Sequence, residues 1–419
     1  MKKEKSVIIL FLAFGIVGTY GFPYMKGTFY NILKGVLELS DLELARIWGV
    51  FGLVGMFSYI FGGYLTDRIS PRKILIAALC ASGILHVWVS FVPSYLLILM
   101  ISALMGLAAV FAFFPASSKV LSFLGGEQYS GRVFGIYYAL EGLGGLIVNF
   151  AGTRVFMLTE SAAITFAFVV RFFAVLNFAG AVGICVFLPK EGTEAVQGNQ
   201  ISLEQLKQGL FRRKEVWLIA LITMCNFWLY CTLTYITPYL TDLFGMKEQD
   251  ALLCGVIRVN ALALLAGILF GRMADWKNSA LCVIGKVMPM QAVILGLILL
   301  NQLLHGSLEA AVVLTMVFSL LATGVKVISI VMISECHFPM VMTGTVIGIV
   351  SFVGYSPDAF TYPVVGKILS LYGETGYLMM FGISLTSALV AAVGCIVLKR
   401  IRRNHHGAGS TRVPDIIKV

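Results

Sequence analysis

Charged side chains are scarce in this chain of 419 residues, because Asp, Glu, Lys and Arg together make up only 12% of it. Soluble globular domains carry roughly 25% charged and about 45–50% hydrophobic residues, whereas 59% of this sequence is hydrophobic. A soluble protein is therefore excluded. The sequence also lacks a glycine-rich phosphate-binding loop that ends in Lys and Ser or Thr, so ATP-driven transport has no support.

Cysteine is present but unorganised. The eight cysteines are scattered along the chain without the spacing of metal ligands, so we expect neither a disulfide framework nor a metal site. No arrangement of residues indicates enzyme chemistry. We therefore predict a protein that is not an enzyme and that binds no cofactor or metal.

Long apolar stretches are what the sequence has in abundance. Stretches of about 20 residues, the length that crosses about 30 Å of hydrocarbon, recur from one end of the chain to the other. The sequence predicts an all-α membrane protein with twelve transmembrane helices. The predicted spans are 7–30, 45–65, 73–92, 95–120, 131–153, 164–188, 216–240, 250–272, 280–302, 308–333, 343–366 and 375–398.

The distribution of basic residues predicts the orientation. If both termini are cytoplasmic, the cytoplasmic segments hold 21 Lys and Arg residues and the external segments hold six. This excess is the positive-inside pattern, so we expect a multi-pass protein of the cell (inner) membrane with cytoplasmic termini. The net charge of +10 is spread over loops as a topology signal, and we expect no nucleic-acid partner.

Three short motifs occur twice in the same order, which indicates an internal duplication. The two copies are 208, 213 or 215 residues apart. The pairs are 63–73 with 271–277, 131–136 with 344–349, and 19–29 with 234–244.

The duplication predicts two halves joined by a linker. Residues 1–188 and 216–398 each hold six predicted spans, and we interpret them as two six-helix bundles. The longest polar stretch, 189–215, is interpreted as a cytoplasmic linker, and 399–419 as a basic cytoplasmic tail.

The repeated loop motif carries a family resemblance. The first copy contains Gly63, Asp67, Arg68, Arg72 and Lys73, and the weaker second copy contains Gly271 and Asp275. With twelve spans in two halves, these residues resemble the major facilitator superfamily across essentially the whole chain. The resemblance implies two pseudo-symmetric bundles, a substrate cavity near the midplane and alternating access. It departs from the family at Ser70, which replaces a glycine, and at Trp276, which replaces a basic residue.

The resemblance also implies a gating role for the motif. Asp67 would meet the N-terminus of a helix near Gly344, and Asp275 the one near Gly131, where the partial positive charge of a helix N-terminus attracts a carboxylate. The alternative is that Asp67 and Arg68 only solvate a tight loop.

Few charged residues fall inside the predicted spans. A charge at mid-bilayer costs at least about 2.5–3.5 kcal/mol, so each needs a partner or a function. The acidic residues are Glu141 and Asp358, and the basic ones are Arg258, Lys326 and, nearer a span end, Lys26. The resemblance places all five on spans that line the cavity. The sequence leaves open which carboxylate Arg258 meets, whether Arg258 and Glu141 form a static ion pair, and whether Asp358 only caps a helix kink.

These charges predict a secondary transporter for a small polar anion such as a sugar acid, sugar phosphate or sulfonate. Lys26, Arg258 and Lys326 would attract the anion, and Glu141 or Asp358 would carry a coupling proton. The first span and its motif resemble the sugar-phosphate and organic-anion permease branch, which supports an anionic substrate. Tyr20 and Tyr235 recur in the two halves, and they either line the cavity or belong to an interfacial belt.

Three alternatives remain at this point. An anion exchanger would use the same cations without a proton step. A drug exporter is disfavoured, because residues 141–145 lack the proline of the drug–proton antiporter motif. A non-transporting receptor on the same fold would need a signalling surface that the short loops do not offer. In every case we expect the bilayer and a small molecule as partners, protons for the symporter, and a monomer.

Overall fold

The computed structural model of the protein describes residues 3–189, 213–277, 279–329, 331–336 and 340–407. Every regular element within these ranges is a helix, and nine helical stretches among the described residues are long and apolar enough to cross a membrane. The architecture is all-α, as the sequence predicts. The predicted linker between the halves and most of the predicted tail lie outside the described residues.

The first six predicted spans correspond to eight helices and one π-helix in the described part of the chain. They are α1 (Lys3–Thr19), α2 (Gly21–Tyr24), α3 (Lys26–Leu37), α4 (Asp41–Arg68), α5 (Pro71–Val89), α6 (Tyr95–Gly106), the π-helix Leu107–Phe113, α7 (Phe114–Thr159) and α8 (Ala162–Phe187). The first span is broken into α1, α2 and α3. The predicted loop 121–130 is helical and belongs to α7, because it contains no proline that would end a helix.

The second six spans are likewise helical in the described residues. Their elements are α9 (Lys214–Thr232), the 3₁₀-helix Leu233–Tyr235, α10 (Ile236–Phe244), α11 (Glu248–Val256), the π-helix Ile257–Ala261, α12 (Leu262–Lys277), α13 (Ala280–Leu303), α14 (Leu308–Ile328), α15 (Val331–Ser334), α16 (Met340–Gly354), α17 (Pro357–Tyr372) and α18 (Thr375–Gly407). The eighth span is therefore interrupted by a π-helix, and the eleventh is divided between α16 and α17.

The first and seventh spans break at equivalent residues. Tyr20 has φ −90° and ψ 0°, and its counterpart Tyr235 has φ −90° and ψ 2°. A proline follows three positions later in each copy, Pro23 and Pro238. Because proline lacks an N–H group and crowds the preceding turn, it favours a kink at this point. The sequence repeat is thus matched by a repeat in the backbone.

The two halves meet along α4 and α17, where glycines let the helices approach closely. A methyl group added to Gly49 would lie 2.6 Å from Pro363, and one added to Gly366 would lie 2.6 Å from the Cβ atom of Ala45. We call the side on which α4 begins and α17 ends the distal side. The contacts close the distal side.

His86 on α5 satisfies a backbone group at the break of the first span. The N–H group of Phe22 in α2 donates to Nε2 of His86 at 3.3 Å, and Nδ1 lies 2.7 Å from the carbonyl oxygen of Ser82. These partners assign a neutral ring with its proton on Nδ1. The side chain is fully buried, and these two contacts give it a structural role.

We predict that His86→Phe destabilises the protein. The substitution removes the acceptor of the Phe22 N–H group, and an unsatisfied buried donor costs about 1–3 kcal/mol. Thermal unfolding of the purified protein should show a clear loss of stability. His86→Gln can retain the acceptor and should lose less. Equal stability of His86→Phe and the wild type would show that the bond does not support the break.

Candidate functional site

A small cavity lies between the two halves at the level of the break in the first span. The residues that line it come from the break between α1 and α2, from α2, α4, α9 and α17, from the π-helix after α6 and from the turn before α17. They are Tyr20, Tyr24, Gly52, Gly55, Met56, Val110, Phe227, Tyr355 and Asp358. The cavity therefore has aromatic walls and one carboxylate.

Lys26 is buried beside this cavity. It begins α3, directly after the broken region of the first span, and only 2% of it is exposed. Its Nζ atom lies 3.5 Å from the ring centroid of Tyr362, 5.1 Å from that of Tyr24 and 5.2 Å from that of Trp48. No described atom accepts a hydrogen bond from Nζ. The ammonium group of Lys26 is thus surrounded by aromatic faces, and none of its three N–H donors has a hydrogen-bond acceptor among the described residues.

Asp358 lies at the start of α17, directly after Pro357. Its side chain accepts a hydrogen bond of 3.2 Å from the hydroxyl group of Tyr24 in the other half, and the thiol of Cys231 lies 3.9 Å from its second oxygen. The carboxylate is close enough to Lys26 to interact electrostatically, although the two groups form no hydrogen bond. Asp358 therefore serves the cavity, and its partner is a tyrosine across the interface.

Glu141 and Lys326 form a second charged group, on α7 and α14. They belong to different halves and interact electrostatically, and both are partly buried. The Nζ atom of Lys326 lies 3.8 Å from the ring centroid of Tyr230. The structure thus places Glu141 within electrostatic range of Lys326, which the sequence predicts to be an anion ligand.

Arg258 meets neither of the two carboxylates with which the sequence would pair it. Its guanidinium group donates to the carbonyl oxygen of Leu233 at 2.6 Å, to that of Gly27 at 2.5 Å and to the hydroxyl group of Thr237 at 3.0 Å. All three acceptors are neutral, and Gly27 belongs to the other half. An ion pair of Arg258 with Glu141 or Asp358 is therefore not what this conformation shows.

The two repeated tyrosines lie in the interface between the halves. Tyr20 lines the cavity, and its hydroxyl group is 3.4 Å from the carbonyl oxygen of Ala109. Tyr235 is fully buried and donates to the carbonyl oxygen of Tyr362 at 3.1 Å. The sequence leaves two roles open for these tyrosines, cavity lining or an interfacial belt. The structure places both rings inside the protein, away from an interfacial belt.

Most of the predicted gating motif lies outside the part of the chain whose side chains are described. This holds for Gly63, Asp67, Arg68 and Asp275, and for their expected partners Gly131 and Gly344. Arg72 is described, and its guanidinium group donates to the carbonyl oxygen of Cys185 near the end of α8. Lys73 is exposed, and a methyl group on Gly271 would meet open space. The gating contacts therefore remain predictions.

Trp48 and Tyr362 were not singled out by the sequence. They stand on α4 and α17, which form the second and eleventh spans, and their rings contact each other edge to face at 5.8 Å. The available signal was their position on spans that the family resemblance places around the cavity. Sequence alone could not show that these rings surround the ammonium group of Lys26.

The geometry agrees with comparisons to known proteins. The family model of the Major Facilitator Superfamily matches residues 6–361. The chain belongs to the major facilitator superfamily. This confirms the resemblance and the predicted fold class, an all-α transporter fold. A solved structure of nucleoside transporter NupG shares that fold with a TM-score of 0.68 and 13% identity, over 96% of this chain and 99% of that one.

Two relatives are similar in sequence, one along nearly the whole chain and one along just over half of it. Inner membrane protein YihN of Escherichia coli (strain K12) is 26% identical over 414 residues, which cover 96% of each chain. Probable sulfoacetate transporter SauU of Cupriavidus necator is 22% identical over 262 residues, 57% of this chain and 56% of that one. The major facilitator protein described here is thus similar to membrane proteins along its whole length.

We predict that Gly52→Ala impairs transport. A methyl group there would lie 2.1 Å from the carbonyl oxygen of Asp358, so α4 and α17 must separate, and overpacking of this kind costs about 1–3 kcal/mol. The initial rate at which vesicles take up the transported solute should be severalfold lower for Gly52→Ala than for the wild type, at an equal amount of protein in the membrane. Gly267→Ala, where the methyl group meets nothing within 4 Å, is the matched control. Normal uptake by Gly52→Ala would show that this close approach is not needed.

Proposed function

We propose that this protein is a secondary active transporter for a small organic anion, and that Lys26 binds the anionic group. The observation that carries the proposal is the buried Nζ atom without an acceptor. Cation–π contacts contribute about 0.5–2 kcal/mol, but they do not replace the hydrogen bonds that an ammonium group loses when it leaves water. An anion in the cavity would supply them.

The substrate we propose is a sulfonate or a carboxylate with further polar groups. The printed name of one relative, a probable sulfoacetate transporter, supports this class. The remainder of such a molecule would lie along the rings of Tyr20 and Tyr24, with its hydroxyl groups toward Asp358. Sugar acids and sugar phosphates share the same chemistry of an anion joined to hydroxyl groups.

Proton coupling is proposed for the carboxylates. Glu141 is the preferred proton carrier, because it interacts electrostatically with Lys326 of the other half, so that a change of its charge alters the attraction between the halves. Asp358 is proposed as the counter-charge of Lys26 whenever no anion is bound. If neither carboxylate is needed for accumulation, the protein is instead an anion exchanger.

Location and orientation complete the proposal. The protein is proposed to act as a monomer. It is proposed to lie in the inner membrane, because the relative YihN is named an inner membrane protein. Both termini would be cytoplasmic, as the count of basic residues predicts. The distal side would then face outward, and the described conformation would be closed to the outside.

We predict that Lys26→Met abolishes anion binding. The substitution keeps the length of the side chain and removes the charge that the anion would meet. Thermal-shift screening of the wild type against sugars, sugar acids, phosphates and sulfonates should first identify stabilising anions. Those anions should not stabilise Lys26→Met, and Lys26→Arg should retain part of the effect because it keeps the charge. Unchanged stabilisation of Lys26→Met would refute the role of Lys26.

We predict that Glu141→Gln separates accumulation from exchange. Without a proton carrier, vesicles should lose accumulation driven by external acid, while exchange of labelled for unlabelled anion continues, because exchange needs no net proton movement. Asp358→Asn is the comparison, and we expect a smaller loss of accumulation there. Loss in Asp358→Asn alone would reassign the proton to Asp358. Full accumulation in both variants would support the exchanger.

A further inference from the structure

Arg258 holds the two halves together at the level of the anion site. It lies in the π-helix Ile257–Ala261 of the eighth span and is 2% exposed. One guanidinium nitrogen donates both to the carbonyl oxygen of Gly27 at 2.5 Å and to Thr237 at 3.0 Å. The hydroxyl group of Thr237 lies 3.4 Å from the same Gly27 oxygen. The contact therefore joins the first span to the seventh and eighth.

The acceptors of Arg258 lie where the helices are irregular. Leu233 begins a 3₁₀-helix, and Phe29, two residues after Gly27, has non-helical dihedrals of φ −104° and ψ 32°. The carbonyl oxygen of Leu233 already accepts the N–H group of Ile236, but a carbonyl oxygen has two lone pairs and can accept from a second donor. A buried guanidinium group with several donors in a fixed plane supplies that second donor. Its place in a π-helix, a feature frequent at functional sites, agrees with this role.

Close packing surrounds the same contact. A methyl group added to Gly27 would lie 2.8 Å from Cγ2 of Val259, and one added to Gly255 would lie 3.0 Å from the Cα atom of Thr28. The backbone on both sides of Gly27 is thus pressed against the eighth span. Since Lys26 directly precedes Gly27, whatever holds the Gly27 carbonyl also sets where the Lys26 side chain begins.

We propose that Arg258 is a positioning residue that couples anion binding at Lys26 to closure of the distal side, an inference that rests on the proposed function. When the Gly27 carbonyl is bound by Arg258, the distal side is closed and Lys26 is held among the rings of Tyr24, Trp48 and Tyr362. When the distal side opens, Gly27 leaves Arg258 and Lys26 leaves that position. Anion binding and distal closure then favour each other reciprocally.

The distal gap can be measured directly. Spin labels at Gly35→Cys and Lys247→Cys sit on opposite halves, at exposed positions near the distal ends of α3 and α10, and a side chain at Gly35 meets open space. The background replaces the native cysteines, which are Cys80, Cys185, Cys225, Cys231, Cys254, Cys282, Cys336 and Cys395. Double electron–electron resonance then reports the ratio of closed to open molecules, with and without sulfoacetate as the probe anion.

The first variant is Arg258→Gln, with Arg258→Lys as the conservative comparison. Arg258→Gln should raise the ratio of open to closed molecules about tenfold or more, the shift expected from losing hydrogen bonds to a charged group. It should weaken sulfoacetate binding by a similar factor, although Arg258 does not touch the anion. Arg258→Lys should lie between Arg258→Gln and the wild type.

A second pair of variants leaves every charge in place. Gly27→Ala should open the distal side and weaken sulfoacetate binding, because the new methyl group presses on Val259. Val259→Ala alone should behave like the wild type. The double variant should recover closure and affinity together, since the smaller residue makes room. This recovery would not follow from a general loss of stability.

The outcomes separate the two proposals. Sulfoacetate should shift the wild type toward the closed distance and should have no effect on Lys26→Met. The proposed function would be contradicted if sulfoacetate still shifted the distance in Lys26→Met. It would also be contradicted if no anion of the screening panel bound to the wild type. If Lys26→Met loses binding, but Arg258→Gln or Gly27→Ala leaves the distance distribution or the affinity unchanged, the coupling through Arg258 is wrong and the proposed function stands.

Discussion

A buried ammonium group needs an acceptor, and the structure around Lys26 supplies aromatic faces without one. The hydrocarbon around the protein cannot provide the missing hydrogen bonds. The surrounding features follow from this constraint. The break in the first span places Lys26 at the interface, rings from both halves surround it, and Asp358 provides a nearby negative charge without a direct bond. A site that lacks one acceptor is suited to a substrate that brings it.

Broken helices are the second theme of this fold. Where Pro23 and Pro238 interrupt the first and seventh spans, backbone groups lose their helical partners. Side chains from neighbouring spans bond to backbone groups near these breaks: His86 accepts from the Phe22 N–H group, and Arg258 donates to the carbonyl oxygens of Leu233 and Gly27. The bond between His86 and Phe22 lies within one half. The bond between Arg258 and Gly27 crosses between the halves, so it must break when the halves separate.

The helical membrane fold and the family were predictable because hydropathy and repeated motifs are local properties of the sequence. The position of Lys26 and Asp358 inside the protein was also predictable, since both fall in apolar spans, where a charge is costly. The partner of Arg258 was not, because its acceptors are backbone carbonyls that carry no residue signature. Trp48 and Tyr362 were missed for a related reason: their role depends on which rings from distant spans meet around one Nζ atom.

The central claim is that the site recognises negative charge. Calorimetric titration of the wild-type protein with a sulfonate and with the neutral sulfonamide of the same shape tests it most directly. A site with a buried cation that lacks an acceptor should prefer the sulfonate by at least about 100-fold, because the neutral molecule leaves the charge uncompensated. Equal affinity for the two molecules, or preference for the sulfonamide, would contradict the account.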